Sequence, residues 1–137
     1  MTIQISILAR NAMLDAIETT IGVSAVVKLR TGAQPADCAT ADSGTVVSTL
    51  SLASDWAAAA SSGSKSFNNT PIEDASADNT GIIAHYRVYA TDGTTCHMQG
   101  TVTETGGGGD MTIDNNDVNA GQVLRITSWA INMSGHA

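Results

Sequence analysis

Residues 81–103, GIIAHYRVYATDGTTCHMQGTVT, constrain this chain more than any other stretch, because apolar and polar residues alternate on both sides of Asp92 and Gly93. A period of two is what a strand with two unlike faces requires, so the segment reads as a β-hairpin. On its first strand Ile82, Ala84, Tyr86, Val88 and Ala90 share one face, and Ile83, His85, Arg87 and Tyr89 share the other. On its second strand Cys96, Met98, Gly100 and Val102 alternate with Thr95, His97, Gln99 and Thr101. A two-residue loop would set Val88 against His97. A three-residue loop of Thr91, Asp92 and Gly93, with Gly93 left-handed, sets Val88 against Cys96 and Tyr86 against Met98. The second register keeps the apolar face continuous and is the one expected.

The rest of the chain supplies shorter elements. Residues 7–20 read as an amphipathic helix with Ser6 as N-cap and Gly22 at the C-terminal cap; Met13, Ile17 and Ile21 share a face, with Leu14 beside it. Before it, Thr2, Ile3, Gln4 and Ile5 alternate as an arm suited to a sheet edge, local or on a neighbouring subunit. Strands are expected over 26–30, over 45–52 with Val46, Leu50 and Leu52 inward, near 65–68, and over 111–113. Residues 31–43 read as a loop. Alanines 57–60 favour a helix, but the Ser/Gly segment after them stops it, so that piece is read as irregular. The polar residues 70–79 introduce the hairpin. Residues 122–133 read as a last long strand whose inward set switches from Leu124 and Ile126 to Trp129 and Ile131, through cover on both faces or a bulge near Thr127 and Ser128. Short strands parted by Gly, Asn, Asp and Ser turns imply a mainly β fold, an antiparallel β-sandwich of jelly-roll or immunoglobulin-like type with a short N-terminal helix. The expected organisation is one domain over residues 1–137, with arm and helix in 1–22 and a β-rich body in 23–137.

Composition adds a constraint on stability. Leu, Ile, Val and Phe number 27 of 137 residues, near the level at which a chain struggles to bury enough apolar surface alone. A thin core supported by partner subunits is the expectation. The net charge of −7 and only six scattered basic residues disfavour nucleic acid and anionic membranes as partners. No apolar run is long enough for a membrane span. The start, MTIQISILARNAMLDAI, lacks the basic and continuous apolar regions of a secretory signal, so Met1 is read as beginning the working protein and Cys38 and Cys96 as free thiols.

Several patterns invite chemistry and are better read as structure. His85 and His97 fall on one face of the expected hairpin, but no spacing motif supplies further metal ligands. Ser62, Gly63, Ser64 and Lys65 spell S-x-x-K without the companion elements of a serine nucleophile site. The GGGGD of residues 106–110 lacks the lysine of a phosphate loop and reads as a flexible connection or a contact-shaping loop. Asp114, Asn115, Asn116 and Asp117 lack calcium-loop spacing and read as a turn. The two Asn-x-Ser/Thr triplets have no meaning without export. Trp129 reads as core, and Trp56, among small residues in an expected loop, as an interface anchor. No catalytic, metal or cofactor residue is assigned, and an enzyme is not expected. Ile3, Ile5 and Trp56 are the candidate interface residues.

The strings ARNAMLDAI (residues 9–17), RTGAQP (30–35), GTVV (44–47), TCHMQG (95–100) and GGGGDMTID (106–114) resemble a family of small structural proteins of tailed-bacteriophage virions. The resemblance runs from about Ser6 to Met133. It implies a decoration or cement protein that binds the major capsid protein shell, located in the virion and assembled in the bacterial host cytoplasm, as a homo-oligomer such as a trimer. Another neck, tail or head-fibre component, or a receptor- or glycan-binding module, is the alternative. The family brings no catalytic residues.

Overall fold

A computed structural model describes residues 3–133. One helix, α1 (Ile7–Ile21), precedes ten strands: β1 (Val26–Thr31), β2 (Val46–Ser51), β3 (Ser64–Ser66), β4 (Ile72–Asp74), β5 (Gly81–Tyr89), β6 (Cys96–Glu104), β7 (Met111–Ile113), β8 (Asp117–Val118), β9 (Leu124–Ile126) and β10 (Ala130–Asn132). A curled sheet runs β2-β1-β5-β6-β7 with β8 against the start of β5; β10 pairs with β3, and β4 with β9. The fold is mainly β, as expected, and the hairpin is its centre. The sheet is mixed rather than purely antiparallel, because β6 and β7 run parallel.

Three irregularities in the ladder decide which side chains face the core. The first lies in β6, where Val88 pairs with Met98 while Tyr89 pairs with Cys96, leaving His97 as the extra residue. The register therefore differs from the expected one: Tyr86 faces Gly100, and the connecting loop is four residues, 91–94, closed by the Ala90 N–H on Thr95 O at 3.0 Å. The Asp92 carboxylate stabilises this longer loop by accepting from the N–H groups of Thr94 and Thr95. Gly93 does adopt the left-handed conformation, with φ 69°. The second shift, between Arg30 and Thr31, makes Ala84 the extra residue of β5. It turns Ile83 into the core at 0% exposure and leaves Ile82 at 59%, the reverse of the simple alternation. The third, opposite Arg30, inserts Val47 into β2, so Val47 is buried and Val46 only half-buried.

The expected last long strand is two strands belonging to different partners, broken at residues 127–129 where the inward set switches. Leu124, Ile126 and Trp129 all reach the core through that break. A ring cluster organises this region: Phe67 stacks on Trp129 at 3.9 Å, Tyr86 meets Trp129 edge-on at 4.9 Å, and Trp56 lies 5.2 Å from Phe67. Each such pair contributes about 0.5–1.5 kcal/mol beyond its buried area.

Helix α1 is capped by the Ser6 hydroxyl, which accepts from the Ala9 N–H, and by the Gly22 N–H on Glu18 O. Its buried stripe is Arg10, Leu14 and Ile21, with Ile17 packed beside it; Met13, expected inward, is exposed. The stripe contains charges, and the docking is polar as well as apolar. Lys65, almost fully buried, places its ammonium 2.8 Å from Asp15, 2.7 Å from Glu18 and 2.9 Å from Ala58 O. All three donors are therefore used, as a buried ammonium requires. The Arg10 guanidinium donates to Met133 O at 3.1 Å, and the Asn11 carbonyl accepts from the Gly63 N–H.

The four-glycine run has a steric explanation. Parallel neighbours ordinarily need a crossover of about a dozen residues or more, yet only residues 105–110 separate β6 from β7. The chain doubles back over its own strand: Gly106 and Gly108 take positive φ, and a Cβ on Gly107 or Gly109 would come within 2.7 and 2.9 Å of Thr103 atoms. The loop is tight rather than loose. Gly100 is needed for a different reason, since its missing side chain is replaced by the Tyr86 ring; a Cβ there would sit 2.6 Å from that ring. Gly100→Ala should displace Tyr86 from Trp129 and cost about 1–3 kcal/mol. Denaturant unfolding checks this through a lower midpoint at unchanged slope.

Candidate functional site

The polar face of the sheet is not open to water. Residues 32–45, joining β1 to β2, cross it as a strap held by side chains that the register places on that face. Arg30 stands opposite His85, and Arg87 opposite Gln99. The buried Arg87 guanidinium donates to Asp37 O, Cys38 O and Thr40 O at 3.0–3.1 Å and pairs with the Asp42 carboxylate. Arg30 reaches the other oxygen of Asp42 at 2.7 Å, and the Tyr89 hydroxyl donates to Asp42 Oδ1 at 2.7 Å. His85 meets Gly32 O at 2.9 Å, and the Gln99 amide donates to Pro35 O at 2.7 Å. Lys28 closes the edge, donating to Gly93 O with its ammonium 5.0 Å from the Tyr89 ring centre.

The electrostatics follow from this crowding. Burial alone would push the Asp42 carboxyl up, but hydrogen bonds from Tyr89 and Arg87 and the charges of Arg30 and Arg87 outweigh it and hold the group below the usual carboxylate value. Burial, with the same two arginine charges, pushes the His85 imidazole below its usual value of 6.5. Because Gly32 O only accepts, His85 carries its proton on Nδ1, and Nε2 is a buried acceptor without a hydrogen-bond partner. Burial and the Asp42 hydrogen bond push the Tyr89 hydroxyl up to about 12. The cluster also leaves Arg30 Nε, Arg87 Nε and Gln99 Oε1 without partners, each at about 1–3 kcal/mol, so it fixes one geometry at some expense to stability.

The sequence candidates separate under this geometry. His85 and His97 do not converge: His85 is buried under the strap, and His97 is the exposed bulge residue. Among the described residues no group of three or more His, Cys, Asp or Glu is placed to hold a metal. Lys65 is committed to α1, and Asp110 accepts from the Thr101 N–H and hydroxyl at 2.9 Å. Trp56, expected in an exposed loop, is 1% exposed, with its indole N–H on Gly22 O at 2.9 Å; it is a core residue seating the end of α1. Ile3 is 85% exposed and Ile5 half-buried, and residues 3–5 form no strand; Thr2 lies outside the described residues. Sequence reading missed the strap cluster because Arg87, His85 and Tyr89 look like an ordinary solvated strand face.

Two surface features complete the inventory. A shallow groove of about 450 Å³ runs past Tyr86, Met98, Asp110, Trp129 and Asn132. On α1, Leu8 is 78% exposed on the side away from the buried stripe, with Ile7 and Met13 exposed on its flanks.

Asp42→Asn removes the one anion shared by two buried guanidinium groups. Full burial would make the loss 3–5 kcal/mol, but the Asp42 side chain keeps 38% exposure, so about 2 kcal/mol is expected from thermal or denaturant unfolding. His85 gives a pH dependence of defined sign. Its folded pKa lies below the unfolded one, so its contribution is complete above 6.5 and falls away as the unfolded chain takes up a proton below that value. Melting temperature should drop between about pH 7 and pH 5 in the native chain, and His85→Asn should flatten that drop.

Compared with known proteins, the chain matches no family, no curated sequence and no solved structure.

Proposed function

We propose that this chain is a bacteriophage virion structural protein, a decoration or cement subunit that binds the major capsid protein shell as a homo-oligomer and works mechanically. The observation that carries the reading is the exposure of apolar side chains at the N-terminus: Ile3, Ile7, Leu8 and Met13 all reach solvent, although the helix itself is anchored by the buried ammonium of Lys65. A partner that covered them would take three of the chain's few large aliphatic residues, together with Met13, out of water. The sequence resemblance to virion structural proteins names the partner class. In this reading the sheet and the ribbons are the two layers of a β-sandwich, and the N-terminal arm makes the shell contact with Ile3 and Ile5. Trp56, being buried, has no part in it. Attachment to the shell would add to the stability of the folded state by mass action.

The test is co-sedimentation of the purified protein with capsids assembled without it. Saturable binding near one copy per shell subunit, with a raised capsid melting temperature, is the expected result. Leu8→Asp should weaken binding at least tenfold, roughly 1.4 kcal/mol, and leave the melting temperature of the free protein unchanged because Leu8 is exposed. Binding confined to a single vertex would move the assignment to a neck or tail component. Absence of binding would sink the shell-binding reading.

A further inference from the structure

Cys38 lies in the strap and Cys96 begins β6, 58 residues later, yet their sulfurs are 3.0 Å apart, with the Cys96 S–H donating to Cys38 Sγ. Both are half-buried free thiols. Their meeting has two structural causes. The bulge at His97 turns Cys96 from the apolar face, where plain alternation would put it, to the face of Tyr89 and Arg87. The Arg87 guanidinium then holds the strap by Cys38 O at 3.0 Å, bringing Cys38 down onto that face. The backbone is thus fixed on both sides of the pair by contacts that involve neither sulfur. Closing from 3.0 Å to a bond of about 2.05 Å asks for roughly 1 Å of side-chain movement.

We propose that Cys38 and Cys96 are a redox couple whose intramolecular disulfide fastens the strap covalently to β6. The oxidant class is a small disulfide such as oxidised glutathione. The Cys38 thiolate, once its proton is lost to solvent, attacks one glutathione sulfur, forming a mixed disulfide and expelling one glutathione thiolate. The Cys96 thiolate then attacks Cys38 Sγ, forming the protein disulfide and expelling the second. Two protein thiols are oxidised, one glutathione disulfide is reduced to two glutathiones, and the two protons pass through solvent to the leaving thiolates. Burial and the Cys38 contact push the Cys96 thiol up to about 11, while the Arg87 cation beside it favours the thiolate. Both steps need a thiolate, so disulfide formation quickens as pH rises. The loop closed is long, so the gain in stability should be large: a melting temperature higher by roughly 10 °C for a chain of this size.

The full chain is equilibrated with oxidised glutathione and compared with its dithiothreitol-reduced form by intact mass, non-reducing electrophoresis and thermal unfolding. The expected product is a monomer lighter by two hydrogen atoms, melting higher than the reduced chain. Cys38→Ser should keep the reduced melting temperature and show no rise on oxidation. If that variant does not fold, thiol-specific alkylation of the native chain gives the same comparison, since the oxidised form should take up no label until denatured and reduced. A mass that stays at the dithiol value would overturn the proposal, as would stable glutathione adducts, disulfide-linked dimers, or a disulfide that leaves the melting temperature unchanged.

Discussion

A single carboxylate, that of Asp42, pairs with two buried guanidinium groups and accepts a hydrogen bond from a phenol hydroxyl as well. Everything on that side of the sheet depends on it. An arginine side chain removed from water must be paired, because its desolvation costs several kcal/mol even after relaxation. Arg87 is paired by a residue of the strap, so the strap cannot leave without exposing the cation, and the cation cannot be buried without the strap. The two halves of the arrangement require each other. Through Arg30 and His85 the same constraint passes to β1 and β5, the strands that carry most of the sheet.

This explains how a chain so poor in large aliphatic residues closes a domain. One face of the sheet packs conventionally, with Val27, Leu29, Leu50, Val88 and Val102 against the aromatic cluster of Phe67, Trp56 and Trp129. The other face is covered by backbone carbonyls and guanidinium groups. Hydrogen bonds with ionic partners are worth about 1.5–3 kcal/mol each. They substitute for the apolar layer that the composition does not provide. Helix α1 is docked by the same device, with Lys65 between two carboxylates.

Much of this was legible in the sequence, and the failures have a common cause. Helix α1, its caps, the central hairpin, the left-handed Gly93 and the strands at 26–30 and 111–113 followed from capping residues, turn chemistry and period-two alternation. The errors at Ile82 and Ile83, at Val46 and Val47, and at Cys96 all lie beside a ladder shift. One extra residue reverses the facing of everything beyond it, and no residue type marks Ala84, Val47 or His97 as extra. Trp56 was misplaced because its partners, Gly22 and Phe67, are remote in the chain. The strap cluster was hidden for a related reason: an arginine on a strand face looks solvated until the loop that covers it is located.

The docking of α1 also has a consequence in time. The helix is made before the residues that hold it: Lys65 comes some fifty residues after Asp15, and Met133, whose carbonyl receives Arg10, later still. A helix of fifteen residues is marginal in water on its own. Until Trp56 and Lys65 have been made, its stripe of Leu14, Ile17 and Ile21 waits for the residues that seat it. A nascent chain stopped before β10 would hold the helix through Trp56 and Lys65 but leave the buried Arg10 without the carbonyl that receives it.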